Sequence, residues 1–119
     1  MRTDELWLRD IRDAALAIDR FLVDTRAEDF AESDLLQTAV VGKLAVIGEA
    51  AKRISEELRT SYPSVPWREA IGLRNIIVHA YFSIESELIW STVQTHVLPL
   101  KEQVVSILEK EFNTTDSTN

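Results

Sequence analysis

Apolar residues in this chain return at the repeat of an α-helix for almost its whole length, and that periodicity limits it to folds made of packed helices. Trp7, Ile11, Ala14, Ile18 and Phe21 follow one another at steps of four, three, four and three, with Asp10, Arg12, Asp13, Asp19 and Arg20 on the opposite face. The pattern predicts a helix over about 3–24. Residues 24–34 are polar and lack a stripe, so they read as a loop, with Ser33 or Asp34 placed to cap the next helix. A second stripe, Val40, Leu44, Ile47, Ala51, Ile54 and Leu58, predicts a helix over about 34–60. Gly48 lies inside it, where glycine costs about 1 kcal/mol against alanine, and with Ala45, Ala50 and Ala51 it marks a place where another backbone must come close.

Pro63 and Pro66 break the pattern, and a short third helix is expected from about residue 66. The last segment, about 86–112, carries Ile89, Val93, Val97, Leu100, Val104 and Ile107, with Pro99 expected to kink it. Three glycines in 119 residues are too few for a many-turned β protein. The expectation is therefore an all-α, mostly antiparallel four-helix bundle with a kinked C-terminal helix, as a single domain over 1–112 followed by a disordered polar tail at 113–119.

The charge balance excludes some functions. With 13 basic and 20 acidic residues the net charge is −7, so the whole-molecule field repels polyanions and any nucleic-acid contact must be local. The absence of Cys rules out disulfides, thiolate zinc sites and a cysteine nucleophile, and makes the cytoplasm the default location. No apolar run reaches the roughly 18–20 residues of a membrane span, and the opening Arg2-Thr3-Asp4-Glu5 does not read as a signal peptide.

The third helix carries the one suggestive constellation. Trp67, Ile71 and Val78 form a stripe whose missing member is Arg74, and a guanidinium on the margin of an apolar face needs an anion or a route to solvent. Asn75, His79 and Tyr81 come next. On an unbroken helix Arg74 and His79 would lie about 140° apart, so the helix is expected to loosen between them, after Val78, if both are to face one cleft. There the guanidinium would bind phosphate and the imidazole would carry protons, which is what metal-free RNA cleavage by the 2′-OH requires. One histidine cannot easily be both acid and base, and a two-fold dimer would supply two. On these residues alone an Arg paired to a core-edge Glu, with a satisfied histidine at a helix end, is the commoner arrangement, and both readings stand.

Other residues have plainer readings. Glu49 is placed to pair with Arg74 or to orient His79. Lys52 and Arg59, seven apart, with Arg53 alongside and Arg68 and Arg74 on the next helix, make a basic rim, or else Lys52, Arg53 and Arg59 are an ordinary solvated face. His96 has no metal-ligand neighbour at suitable spacing, and Trp7, Trp67 and Trp90 belong to or border core stripes rather than a base-stacking surface.

Arg74-Asn75-x-x-x-His79-x-Tyr81 resembles the Arg-x4-His-x-Tyr signature of HepT-like toxins, small all-helical ribonucleases of the HEPN superfamily. Ile47-Gly48-Glu49-Ala50-Ala51-Lys52-Arg53 resembles that family's second-helix signature, Pro63-x-x-Pro66-Trp67 the opening of its third helix, and Ile89-Trp90 with Leu98-Pro99-Leu100 its last helix. The likeness runs over about residues 5–110. It implies the toxin of a type VII toxin–antitoxin pair: a homodimeric, metal-independent endoribonuclease without cofactor. Its substrate would be an RNA such as tRNA or mRNA, and a minimal nucleotidyltransferase antitoxin (MntA-like) would neutralise it by transferring AMP to the motif tyrosine. By position, Arg74 and His79 would be catalytic, Asn75 supporting, and Tyr81 the AMP acceptor. Ala80 stands where many relatives carry a larger or charged residue. The competing implication is a non-catalytic substrate-binding or regulatory subunit of a nucleotidyltransferase complex.

Overall fold

A computed structural model describes residues 2–76 and 85–112. Helices and the turns between them account for these residues, with no strand among them, so the expected all-α class is the one observed. The predicted tail at 113–119 lies outside the described residues.

Helix α1 (Asp4–Phe21) begins where the Thr3 side chain accepts a hydrogen bond from the Leu6 N–H, with Asp4 and Glu5 at the positive end of the helix dipole. It buries Leu8, Ile11, Ala14, Ala15 and Ile18, while Trp7 and Phe21, the ends of the predicted stripe, pack half-buried at the margin. The stretch expected to be a loop contains a short helix, α2 (Ala27–Ala31). Five residues cannot sustain a helix by propensity, and tertiary contacts hold this one. Phe30 is fully buried with its ring 5.4 Å from that of Trp90, and the Gln37 side-chain amide donates to the Phe30 and Ala31 carbonyls at 2.9 and 3.2 Å, satisfying the helix's open end.

The helix expected over 34–60 is two. Helix α3 (Asp34–Arg53), capped by Ser33, stops where Ile54 turns extended and sinks into the core, and α4 (Glu56–Ser61) restarts from Ser55. Ser55 is held on both sides. Its backbone N–H and hydroxyl donate to the Asp4 carboxylate at 2.9 and 2.6 Å, while its Oγ accepts from the Leu58 N–H. The break is therefore stabilised by the first residue of α1, a contact 51 positions away that periodicity cannot reveal. It also places the end of α3 beside the start of α1, so the two helices run antiparallel.

Helix α5 (Trp67–Gly72) continues as a 3₁₀ turn over Leu73–Asn75. After the residues not described come α6 (Ser86–Thr92), a π-helical turn (Val93–Val97) and α7 (Leu98–Phe112). All six members of the predicted stripe in this segment are buried. The irregularity expected at Pro99 takes the form of the π turn just ahead of it, where a wider loop of backbone accommodates the missing N–H. Lys101 near the start of α7 pairs with Asp19 near the end of α1 at 2.6 Å, so α7 is also antiparallel to α1.

Among the described residues the most extensive pairing is α1 on α3, with α7 packed against α1, and α5 and its 3₁₀ turn packed against α3. Buried side chains from all of these elements join in one core. Among the described residues no helix is long and apolar enough to cross a membrane.

Candidate functional site

Arg74 sits on the 3₁₀ turn, and the fold positions that turn in three ways. Trp67 anchors α5: its ring is buried and its Nε1–H donates to the Tyr62 carbonyl at 3.0 Å. The residues buried along this segment are Trp67, Ala70 and Leu73, at steps of three, rather than the expected Trp67 and Ile71, and Ile71 is only partly buried. A three-residue repeat is the period of a 3₁₀ helix, and the chain tightens accordingly over Leu73–Asn75; the loosening predicted after Val78 falls outside the described residues. With Leu73 inside, Arg74 comes to the margin and Asn75 to the surface.

The third constraint comes from Gly48. The expectation that it marks a close backbone approach is met, and the approaching backbone is that of Arg74 itself. A Cβ on Gly48 would stand 2.7 Å from the Arg74 backbone nitrogen, 2.9 Å from the Arg74 Cβ and 2.9 Å from the Ile71 carbonyl oxygen. Only a residue without a side chain lets the turn lie this close to α3.

The guanidinium is then aimed. Arg74 Nη1 donates to Glu49 Oε1 at 3.1 Å, and the other carboxylate oxygen accepts from Arg53 Nε at 3.1 Å, with Arg53 Nη2 in ion-pair contact at the same distance. One carboxylate therefore holds two guanidiniums, with the Arg74 side chain 39% exposed and that of Arg53 58%. Arg53 first, and then Arg74, hold the Glu49 carboxyl below its ordinary range. With two positive charges and one negative, the cluster is a local cationic patch on an acidic chain, open to solvent and furnished with unused N–H donors.

The structure thus unites Arg74 with Glu49, one of the two pairings expected for that carboxylate, and adds Arg53, which the sequence offered only as part of a surface rim. The available signal was the Glu49-to-Arg53 spacing of four along a helix with the acid first, the favourable order for an ion pair. The break at Ile54 and Ser55 separates Lys52 from Arg59, so the proposed seven-residue stripe does not exist as one helical face. Asn75 is exposed. His79, Ala80 and Tyr81 lie outside the described residues, as does Val78. His96 is exposed on the π turn, and the three tryptophans pack in or against the core, as read from the sequence.

Known proteins share most of this chain. A family model described as "Ribonuclease HepT-like" matches residues 11–107. A candidate RNase of Methanocaldococcus jannaschii is 36% identical over 103 residues, covering 87% of this chain and 94% of that protein. The probable ribonuclease HepT of Thermococcus cleftensis is 35% identical over 100 residues, covering 84% and 91%. A candidate RNase of Caldanaerobacter subterraneus is 39% identical over 84 residues, covering 71% and 75%. No solved structure matches the chain at a significant level.

Proposed function

The chain belongs to the HepT-like ribonuclease family, a branch of the HEPN ribonucleases, and from that membership we propose that it is a metal-independent endoribonuclease acting as the toxin of a toxin–antitoxin pair. The observation that carries the proposal is Arg74: its backbone is seated against Gly48 and its partly exposed guanidinium is aimed by Glu49, which makes it the preorganised cation that phosphoryl chemistry needs.

In the reaction, His79 as a neutral base removes the proton of a ribose 2′-OH, whose oxygen attacks the adjacent phosphorus. Arg74 stabilises the charge that develops on the non-bridging oxygens. A protonated imidazole from a second copy of the chain gives its proton to the departing 5′ oxygen, leaving a 2′,3′-cyclic phosphate and a free 5′-OH. Two copies of the motif around one linkage meet the requirement for acid and base together, which is why the active form is proposed to be a homodimer. Asn75 would support the site. Tyr81 would be the residue that a minimal nucleotidyltransferase antitoxin modifies with AMP, and a nucleotide phosphate two positions from His79 would repel incoming RNA.

The test is cleavage of single-stranded RNA by the purified protein in EDTA, with the products checked for 2′,3′-cyclic phosphate ends. Arg74→Ala and His79→Ala should each abolish both cleavage and growth arrest on expression while the protein stays folded. A folded His79→Ala variant that still cut RNA would overturn the proposal, and no cleavage of any RNA by the wild type would favour a non-catalytic subunit. Incubation with the antitoxin and ATP should raise the intact mass by whole AMP groups in the wild type and not in Tyr81→Phe.

A further inference from the structure

Arg53 stands in a position that the proposed reaction does not use. It lies on the last turn of α3, on the opposite oxygen of the carboxylate that aims Arg74, and it is the more exposed of the two guanidiniums. Held to one carboxylate, the two cations cannot drift apart, so their separation is set by Glu49 rather than by the rotamers of two long side chains. Exposed ion pairs contribute little to folding, so stability is a poor explanation for a solvent-facing Arg–Glu–Arg bridge. On a chain of net charge −7 it is also a place where a strand of phosphates meets attraction instead of repulsion.

We propose that Arg53 is a second phosphate contact for RNA, engaging the phosphate next to the scissile one, and that Glu49 is a positioning residue that spaces the two guanidiniums and stays bonded to them when RNA binds. This rests on the ribonuclease reading and extends it to substrate grip. The contact requires no covalent step. Phosphate oxygens take the free N–H donors of each guanidinium, and Glu49 keeps one hydrogen bond to each.

The probe is a short single-stranded RNA whose 2′-hydroxyls are methylated, so that it binds without being cut, titrated against the full-length protein over a range of salt concentrations. Each phosphate contact on a single strand contributes about 0.7 to the slope of log affinity against log salt. Arg53→Gln should lower that slope by about 0.7 and weaken binding most at low salt. With cleavable RNA its loss should fall on KM, whereas Arg74→Ala abolishes turnover. Glu49→Gln should tighten binding, because a competing anion is gone, and lower kcat, because Arg74 is no longer held in place.

A purely structural bridge would leave the salt slope unchanged in Arg53→Gln, and that result, with wild-type binding intact, would overturn the proposal. Weaker rather than tighter binding by Glu49→Gln would remove the role given to the carboxylate. Wild-type protein that neither binds nor cuts RNA would instead sink the ribonuclease reading, so the two failures are separable.

Discussion

Two glycines on one helix allow the close contact under Arg74 to be tested against an internal control. Gly42 and Gly48 both lie inside α3, where alanine is the better helix former by about 1 kcal/mol. An added Cβ at Gly42 meets nothing within 4 Å, so Gly42→Ala should collect that propensity gain and raise the melting temperature by a few degrees. At Gly48 the same methyl group would stand 2.7 Å from the Arg74 nitrogen, and ordinary contact begins at 3.4 Å, so the turn must retreat by about 0.7 Å. The neighbours are backbone atoms and a Cβ, none of which can rotate away. Overpacking of this kind costs about 1–3 kcal/mol, which cancels or outweighs the helix gain and leaves Gly48→Ala about 1–3 kcal/mol less stable than Gly42→Ala. The retreat also carries the guanidinium with it. Misplacement by about 1 Å can cost a hundredfold in rate, so RNA cleavage by Gly48→Ala should fall by at least tenfold. Urea denaturation of both variants, beside cleavage assays at saturating RNA, measures the two effects. If Gly48→Ala gained as much stability as Gly42→Ala and kept full activity, the claim that this glycine seats the Arg74 turn would be wrong.

The helix break and two carboxylates offer further tests. Ser55→Ala removes both hydrogen bonds of its hydroxyl, the N-cap bond from the Leu58 N–H and the bond to the Asp4 carboxylate, and should destabilise the protein by about 1–2 kcal/mol in urea denaturation. Asp4→Ala should show much the same loss, because it deletes the other half of that clamp. Glu49 has a depressed carboxyl pKa, so its contribution is present above the ordinary value of 4.5 and disappears as pH falls through the lower folded value. Stability measured from about pH 6 downward should therefore fall less in Glu49→Gln than in the wild type across that acid window. Tyr62 donates to Glu111, whose hydrogen bond and charge raise the phenol pKa above 10.0. The stabilising effect is present below about pH 10 and is lost as pH rises through the folded value, so Glu111→Gln should let the Tyr62 tyrosinate absorbance appear at lower pH.

Much of the fold was legible because helical periodicity records which side of each helix is buried. Every member of the stripes Val40 to Leu58 and Ile89 to Ile107 is in the core. Even the π turn left a trace. Ile89, Val93 and Val97 are spaced four and four, and each such step overshoots an α-helical turn by roughly 40°, a drift that a wider turn absorbs. The errors have a common cause. Helix α2 exists because Phe30 is buried against Trp90 and Gln37 caps its end, and α3 stops because Asp4 captures Ser55. In each case a contact between distant residues outweighed the local pattern.

The candidate site divides along the same line. The sequence by itself determined which residues are candidates for chemistry, the Arg74 to Tyr81 motif, and marked a glycine inside a helix, since residue type and spacing are local properties. Only the tertiary structure decided that Gly48 serves Arg74, and that Glu49 joins Arg74 to Arg53 across 25 and four positions. Those pairings depend on where α5 crosses α3, and a helix crossing is set by the packing of both surfaces together.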